Sequence, residues 1–310
     1  MNKVPVVFSF DDNLVLPAGI CITSLLENAL PTTFYDIFIL HDNSAAYPRS
    51  GFLERLYERF TNFKITYRSV GNQFKDAFEI RGVTVATYYR LLIPELIPEY
   101  NKIMYHDVDI IFRNDLTEIF QNTDLSNYYV AGVISPGFLK SNAVTERALL
   151  GLDSEKYILA GNIILNSALL REDQIVQQFK EQAKNNYKHQ DMDVINIVCK
   201  GKTIRIPPVF CGTIEMFQLH RNNIEQSVYT SEELSVMENH GIVHYNGPKP
   251  WNTWCPNFDI WWEYYRKSVY YDSKFYFDFF YAKRNEYDSL SLWKRLKILF
   301  RYFKVGVVKS

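Results

Sequence analysis

The order of the apolar segments predicts an α/β protein with a mainly parallel sheet and helices on both of its faces. Over the first 70 residues, strand-like and helix-like segments alternate in a βαβαβ order, which is the usual pattern of parallel strands joined by crossover helices. These segments are Val4–Phe10, Ala18–Asn28, Tyr35–Leu40, Gly51–Phe60 and Phe63–Val70. The composition agrees, because 47% of the 310 residues are hydrophobic and 22% are charged, as in chains that fold around a core.

Each segment carries its own local signal. Val4–Phe10 is a continuous apolar run, as expected of a buried strand. Ala18–Asn28 follows Pro17, and proline is tolerated in the first turn of a helix. Phe63–Val70 shows the alternation of a strand.

The middle of the chain continues in the same way up to about residue 245. We predict helices at Thr84–Leu96, Glu172–Tyr187 and Asp193–Cys199, and strands at Lys102–Phe112, Tyr128–Ile134, Gly161–Leu165 and Ile242–Tyr245. Beyond about residue 246 the aromatic residues crowd together and the strand alternation stops. We therefore expect a catalytic α/β domain at residues 1–245 and a small C-terminal region at residues 246–310. Ligands of open α/β sheets bind at the carboxyl ends of the strands, so the site is expected there.

Charge, cysteines and motifs exclude several classes of protein. The chain carries 34 Lys+Arg against 35 Asp+Glu, and this net charge of −1 gives no reason to expect a nucleic acid partner. The four cysteines are scattered without a C-x-x-C pair, which indicates reduced thiols in a cytosolic protein. Val4–Phe10 is too short for a signal-peptide core, and no apolar stretch approaches the roughly 18 residues of a membrane span. No G-x-G-x-x-G follows the first strand, and Gly201-Lys202-Thr203 lacks the first glycine of a P-loop, which argues against dinucleotide enzymes and P-loop NTPases.

The last segment before the C-terminus is cationic and amphipathic. Residues 293–304 contain five basic residues and no acidic one. On a helix, Leu296, Leu299, Phe300 and Phe303 fall on one stripe. Such a helix is typical of segments that lie in an anionic membrane interface. The alternative is a final core helix with a solvated basic face.

An acidic pair lies within an apolar stretch. Asp107 and Asp109 flank Val108, and in an extended chain the two carboxylates point to one side while Val108 points to the other. Two poorly solvated carboxylates need a cation, and such oxygen-rich pairs suit Mg²⁺ or Mn²⁺. The alternative is an exposed edge strand, which the apolar residues on both sides make less favourable.

A second group of polar residues follows the last predicted strand. His244, Gly247 and Lys249 lie within nine residues that end at Trp251. The imidazole could complete a manganese site, and the lysine is a point charge that suits a phosphate. The alternative is a rigid turn with a packed tryptophan.

Six segments, in order along the chain, resemble the glycosyltransferase family 8 enzymes, and above all bacterial lipopolysaccharide galactosyl- and glucosyltransferases. The segments are Val6–Asn13, Ala86–Pro98, Tyr105–Ile111, Ala160–Asn166, Gln190–Asn196 and His244–Trp251. The resemblance implies the GT-A fold, a Rossmann-like nucleotide-diphospho-sugar transferase fold, with a small helical, aromatic and basic C-terminal region. It also implies a retaining hexosyltransferase that moves galactose or glucose from UDP-galactose or UDP-glucose to a saccharide or glycolipid acceptor in lipopolysaccharide or other cell-surface glycan synthesis.

The resemblance assigns a role to particular residues of this chain. It implies that Mn²⁺ (or Mg²⁺) is held by Asp107, Asp109 and His244, with Val108 between the two carboxylates in the donor-binding set. Residues implied to surround uracil and ribose are Phe8, Ser9, Phe10, Asp11 and Asn13. Arg90 and Asp191 are implied to lie at the donor sugar as catalytic residues, and Gly247 and Lys249 on the diphosphate. The basic tail corresponds to a membrane-association segment, which places the protein in the cytoplasm on the inner face of the cytoplasmic membrane.

Three departures from the family pattern concern the donor sugar and the diphosphate. Leu159 stands where the family usually has an asparagine, and Asn162 is a candidate replacement for that amide. Met192 stands where the family has a glutamine that has been discussed as a nucleophile. The spacing between His244 and Lys249 is one residue shorter than in similar relatives.

These departures favour one version of the reaction and leave two rival functions. Retention normally uses a carboxylate nucleophile, but methionine cannot replace the discussed glutamine. We therefore expect front-face attack by the acceptor hydroxyl, with Asp191 orienting the sugar. The rivals are a nucleotide-sugar-binding protein without catalysis and a glycosidase with an aspartate acid–base pair.

The aromatic residues are numerous and unevenly distributed. The chain has 22 Tyr, 22 Phe and 5 Trp, and much of this excess lies beyond residue 250. We expect some of these rings to pack the small region, others to face an acceptor sugar, and the last few to meet the membrane.

Overall fold

The computed structural model of the chain describes residues 1–71, 73 and 85–306. The described strands are β1 (Asn2–Ser9), β2 (Thr33–His41), β3 (Phe63–Ser69), β4 (Lys102–His106), β5 (Ile110–Ile111), β6 (Val130–Ile134), β7 (Ile158–Asn166), β8 (Thr203–Arg205), β9 (Gly212–Thr213) and β10 (Val243–His244). The described α-helices are α1 (Val15–Glu27), α2 (Ile93–Leu96), α3 (Thr117–Asn122), α4 (Ser141–Leu149), α5 (Ser167–Glu172), α6 (Ile175–Gln182), α7 (Gln190–Val198), α8 (Ile214–Arg221), α9 (Ser231–His240), α10 (Phe258–Lys267), α11 (Ser273–Asp288) and α12 (Leu292–Gly306). Thr84, the predicted start of a helix, lies outside the described residues.

Two sheets organise the described part of the chain. The larger one has seven strands in the order β3-β2-β1-β4-β7-β6-β8. Four of its neighbouring pairs are parallel, and β7 runs antiparallel to both of its neighbours, β4 and β6. The smaller sheet has the order β5-β10-β9. The predicted α/β class with a mainly parallel sheet is confirmed.

The first strand and helix form for the reasons that the sequence indicates. In β1, the six residues after the exposed Asn2 and Lys3 are all buried, which explains the continuous apolar run. Helix α1 includes Pro17 in its first turn, where the missing N–H costs no helical hydrogen bond. Its residues from Pro17 to Leu26 are buried.

Two predicted helices are partly 3₁₀. Leu53–Glu58 is a 3₁₀ helix within the predicted segment Gly51–Phe60. Val85–Leu92 is also 3₁₀ and continues into α2. Pro94 lies in the first turn of α2, where its missing N–H costs no helical hydrogen bond.

The predicted strand Lys102–Phe112 divides between the two sheets. Its first part, β4, pairs with β1 and β7 as far as His106. Its last part, β5, pairs instead with β10. The Asp107–Asp109 segment therefore spans the gap between the sheets, so the expectation of one continuous strand through the acidic pair is wrong.

An aromatic cluster packs α10 against α11 in the C-terminal region. Trp261, Trp262 and Tyr265 of α10 are almost fully buried. The two tryptophan rings contact each other edge to face at 4.9 Å, and Trp262 lies 4.6 Å from Phe279 of α11. These aromatic side chains form a core, which confirms the expectation that some of the rings beyond residue 250 pack the small C-terminal region.

No helix in the described ranges is both long enough and apolar enough to cross a bilayer. All four cysteines are free thiols and buried.

Candidate active site

The gap between the two sheets brings two carboxylates and an imidazole together. β10 runs antiparallel to β5 with His244 opposite Ile110, so the imidazole lies beside the acidic pair. His244 Nε2 is 3.3 Å from Asp109 Oδ1 and 3.8 Å from Asp107 Oδ2. Val108 between them is 3% exposed, whereas both aspartates are partly exposed, so the alternation predicted for the acidic pair holds.

A glycine on the neighbouring strand makes room for this group. The amide of Asp107 donates to the carbonyl of Gly161 on β7 at 2.7 Å, which holds the acidic segment against that strand. A Cβ atom on Gly161 would lie 2.4 Å from Asp107 Oδ2 and 2.7 Å from His244 Cε1. A side chain there would force Asp107 and His244 to move.

The donor set fits a divalent cation of the Mg²⁺ or Mn²⁺ type. Asp107, Asp109 and His244 each offer one ligand atom, and these atoms lie within 4.8 Å of one another. Two carboxylate oxygens and an imidazole nitrogen suit Mn²⁺ in particular. The glycine-lined space beside them is the second sign of fit, since a side chain there would occupy it.

The electrostatics of the group favour bound positive charge. Burial raises the pKa of Asp109, but His244 and Lys249 outweigh it and hold that pKa well below its usual range. Burial lowers the pKa of His244, but Asp109 reverses this and raises it well above its usual value. Lys249 Nζ contacts Asp109 Oδ2 and donates to the carbonyl of Tyr245 at 2.6 Å. The lysine therefore lies beside the candidate metal ligands.

Arg90 connects the acidic pair to the second predicted catalytic residue. Its Nη2 donates to Asp107 Oδ1 at 2.8 Å, and its Nε lies 3.1 Å from Asp191 Oδ2. The guanidinium also stacks on the Tyr105 ring at 4.2 Å and is 6% exposed. Burial lowers the pKa of Arg90, but Asp107 and Asp191 reverse this and raise it above its usual value.

Asp191 is fixed at both of its oxygens. The hydroxyl of Thr87 donates to Oδ1 at 2.6 Å, and Arg90 holds Oδ2. Burial raises the pKa of Asp191 above its usual value, and Arg90 and Thr87 oppose that rise. A carboxylate held at both oxygens is well suited to orienting a ligand.

One open cleft joins most of these residues. It has a volume of about 620 Å³, and its lining includes Arg90, Asp107, Asp109, Asp191 and His244. Leu159 and Met192 also line it, so two of the three departures from the family pattern lie at the ligand space. Asn162 does not replace the missing amide there, because it is fully buried and bonded to other groups.

The residues predicted around uracil and ribose are divided between core and surface. Phe8 is fully buried and packs edge to face on Phe112 at 6.5 Å. Ser9 lies behind the site, 3.1 Å from the hydroxyl of Tyr105, which donates to Asp107 at 2.9 Å. Phe10 stacks on Tyr47 at 4.6 Å.

The remaining predicted residues lie in turns. Asp11 caps a 3₁₀ turn by accepting from the amide of Asn13 at 2.9 Å, and Asn13 is exposed. Gly247 is exposed in the turn after β10. None of the aromatic residues beyond 250 lines the cleft in the described part of the chain, so the structure gives no support to the expectation of an aromatic acceptor platform there.

Sequence reasoning missed several residues that hold the site together. Thr87 and Tyr105 lie inside two of the six family-like segments, yet their hydroxyl groups became visible only as hydrogen-bond donors to Asp191 and Asp107. Cys211 is 3.4 Å from His244 Nδ1, and no motif surrounds it in the sequence.

Comparison with known proteins decides the family. The sequence profile of glycosyl transferase family 8 matches residues 5–255. The chain belongs to glycosyl transferase family 8. The predicted family is confirmed, and the glycosyltransferase prediction is confirmed at the level of that family.

Three bacterial proteins are similar in sequence to this chain. A putative glycosyltransferase of Haemophilus influenzae is 29% identical over 177 residues, which cover 56% of this chain and 51% of the relative, so the chain spans about half of that protein's length. The lipopolysaccharide 1,2-glucosyltransferase of Escherichia coli is 23% identical over 81% of this chain and 73% of the relative. General stress protein A of Bacillus subtilis is 26% identical over 80% of this chain and 87% of the relative.

Solved structures of similar shape confirm the predicted GT-A fold. The galactosyltransferase LgtC, solved with donor and acceptor sugar analogs, superposes with a TM-score of 0.69 at 22% identity and covers 87% of this chain and 98% of its own. The bifunctional glycosyltransferase WbbM superposes with a TM-score of 0.70 at 23% identity and covers 89% of this chain and 51% of its own.

Proposed function

We propose that this family 8 protein transfers a hexose, galactose or glucose, from a UDP-sugar to a saccharide or glycolipid acceptor with retention of anomeric configuration. The observation that carries the proposal is the convergence of Asp107, Asp109 and His244 on one point of the cleft. A carboxylate–imidazole group of this kind suits a divalent cation that binds a diphosphate.

Mn²⁺ or Mg²⁺ on these three residues would neutralise the charge that develops on the β-phosphate when the anomeric bond breaks. Lys249 supplies a second positive charge at the same place, because its ammonium group already lies on Asp109. In the proposed complex that ammonium group also contacts the diphosphate, where a point charge is effective.

The acceptor hydroxyl is proposed to attack from the face on which UDP leaves. Its oxygen forms the new bond to the anomeric carbon while the bond to the phosphate oxygen breaks, and that phosphate oxygen takes the hydroxyl proton. Asp191 orients the donor sugar and does not attack, since Thr87 and Arg90 hold both of its oxygens. Arg90 keeps Asp191 and Asp107 at a fixed separation because it bonds to both.

The experiment for this proposal is UDP release from a panel of UDP-sugars, with Mn²⁺ and without acceptor. We expect slow hydrolysis of UDP-galactose or UDP-glucose that EDTA abolishes. A protein that binds nucleotide sugars without catalysis would give a donor-dependent thermal shift but no UDP. A glycosidase would cleave saccharides in the presence of EDTA and would release no UDP from UDP-sugars.

A biosynthetic role in lipopolysaccharide or another cell-surface glycan is the proposed context. The similarity to the Escherichia coli glucosyltransferase over most of this chain supports it.

We also propose that α12 attaches the protein to the inner face of the cytoplasmic membrane. Trp293 is 81% exposed and Phe300 is 72% exposed, although both are large and apolar. Leu299 is 42% exposed on the same basic helix. Exposed apolar side chains among lysines and arginines match the composition of interfacial helices.

A further inference from the structure

A buried polar cluster lies behind His244, at the opposite edge of its ring from the carboxylates. It consists of His106, Asn162 and Cys211, each 0% exposed. His106 Nδ1 is 2.6 Å from Asn162 Oδ1, and Asn162 Nδ2 is 3.0 Å from Cys211 Sγ. His244 Nδ1 lies 3.4 Å from both Asn162 Nδ2 and Cys211 Sγ.

The orientation of the Asn162 amide follows from His106. The His106 ring is fully buried. Its Nε2 has no hydrogen-bond partner among the described residues, and the ring lies 4.9 Å from Phe112 and 5.1 Å from Phe210. A proton on Nε2 would be a buried donor without an acceptor, which is costly. The proton therefore lies on Nδ1 and is donated to Asn162 Oδ1, and the amide presents its NH₂ group to Cys211 and His244.

The proton on His244 follows from the opposite edge of the ring. His244 Nε2 faces Asp107 and Asp109 and must offer its lone pair to a bound cation. Nδ1 therefore carries a proton and needs an acceptor. Asn162 cannot accept it, because its oxygen is taken by His106 and its NH₂ is a donor. The sulfur of Cys211 is the acceptor that remains within reach.

We propose that Cys211 is a positioning residue for the metal ligand His244. Its sulfur accepts the Nδ1–H of His244 and thereby fixes the ring in the tautomer and orientation that leave Nε2 free for the cation. Asn162 holds the sulfur by donating to it, and His106 holds Asn162. The inference rests on the proposed function, because it assumes that His244 binds a divalent cation.

The alternative interpretation is that Cys211 acts only as a small apolar residue that fills space in the core. That reading predicts that alanine at position 211 lowers stability without changing metal affinity. Outer partners of metal-bound histidines behave differently, since their loss typically weakens metal binding about 10- to 100-fold. Metal affinity and stability therefore separate the two readings.

The experiment compares Mn²⁺ binding to four full-length proteins by the electron paramagnetic resonance signal of free Mn²⁺. They are the wild type, Cys211→Ala, Cys211→Ser and the control Cys199→Ala. Cys199 is equally buried, and among the described residues its thiol takes no part in the hydrogen bonds that join His106, Asn162, Cys211 and His244. We expect Cys211→Ala to weaken binding about 10-fold, Cys211→Ser to retain most of the affinity because its hydroxyl can accept, and the control to bind as the wild type does.

A second measurement needs no cysteine variant to fold. In the Mg²⁺-loaded wild type, the Nδ1 proton of His244 should give a slowly exchanging NMR signal, identified by its loss in His244→Gln. An absent or fast-exchanging proton would overturn the proposal, as would unchanged Mn²⁺ affinity in Cys211→Ala. If the wild type binds no Mn²⁺, the proposed metal-dependent function fails and this inference fails with it. If the wild type binds Mn²⁺ and Cys211→Ala binds it equally well, the role of Cys211 is contradicted and the proposed function is not.

Discussion

Replacement of Gly161 by alanine should weaken metal binding by Asp107, Asp109 and His244 while leaving the fold intact. The new Cβ would lie 2.4 Å from Asp107 Oδ2 and 2.7 Å from His244 Cε1. The first of these contacts is about 1 Å shorter than the ~3.5 Å optimum for non-bonded atoms. The two side chains must therefore move, and both are proposed ligands of the same cation.

The size of the effect can be worked out from this overlap. Over-packing by a methyl group typically costs about 1–3 kcal/mol. If this cost displaces Asp107 and His244 from the cation, Mn²⁺ affinity falls about 5- to 140-fold, at about 1.4 kcal/mol per tenfold change. UDP release should fall with it.

Calorimetric titration with Mn²⁺ and urea unfolding measure the two halves of this prediction. The matched control is Gly132→Ala on β6, where a Cβ would lie 3.0 Å from Cβ and Cδ1 of Ile158 and meet no carboxylate. The control should lose stability and keep its Mn²⁺ affinity. Wild-type Mn²⁺ affinity in a folded Gly161→Ala protein would refute the reasoning.

Three further predictions concern the rest of the site and the tail. Arg90→Met should lower the free energy of unfolding by about 3–5 kcal/mol in urea titrations, because it leaves the buried Asp191 unpaired, and an unchanged midpoint would contradict the assigned ion pairs. Incubation with a UDP-sugar and no acceptor should leave the intact mass of the protein unchanged, whereas a glycosyl adduct on Asp191 would contradict front-face attack. Deletion of residues 293–310 should move the protein from anionic vesicles to the supernatant in sedimentation assays without abolishing UDP-sugar hydrolysis, and a full-length protein that does not bind such vesicles at low salt would contradict the interfacial role.

The sequence was informative about local pattern and about motif chemistry. The βαβαβ order and the acidic pair were both readable, because burial of β1 and the alternation around Val108 are local properties. The place where the chain leaves the larger sheet was not readable. That change depends on the pairing of Ile110–Ile111 with β10, which lies more than 100 residues further along the chain.

The residues that support the ligands were hidden for a similar reason. Cys211 looked like one of four scattered thiols, and its contact with His244 depends on the parallel pairing of β9 with β10. Lys249 was expected on a diphosphate, and the structure adds that its ammonium group lies on Asp109. Asn162 was a candidate for a sugar contact, but its place within the buried cluster excludes that role.

The aromatic residues beyond position 250 were only partly interpretable from composition. Aromatic crowding predicts burial in general, and Trp261 and Trp262 are fully buried. Which rings remain exposed depends on how α10 and α11 pack against each other, which no local pattern specifies. Trp293 on α12 is the exposed ring that bears most directly on the membrane proposal.

The central claim is that Asp107, Asp109 and His244 hold a divalent cation that this family 8 protein needs for sugar transfer. The most direct test is UDP release from UDP-galactose and UDP-glucose by the wild type and by Asp109→Asn, each with Mn²⁺ and with EDTA. The account predicts UDP release by the wild type in Mn²⁺ and none in EDTA. In Asp109→Asn the rate of release should fall by about 100-fold or more, which is typical when a group that stabilises transition-state charge is removed. Equal release by the wild type in Mn²⁺ and in EDTA, or full activity of Asp109→Asn, would contradict it.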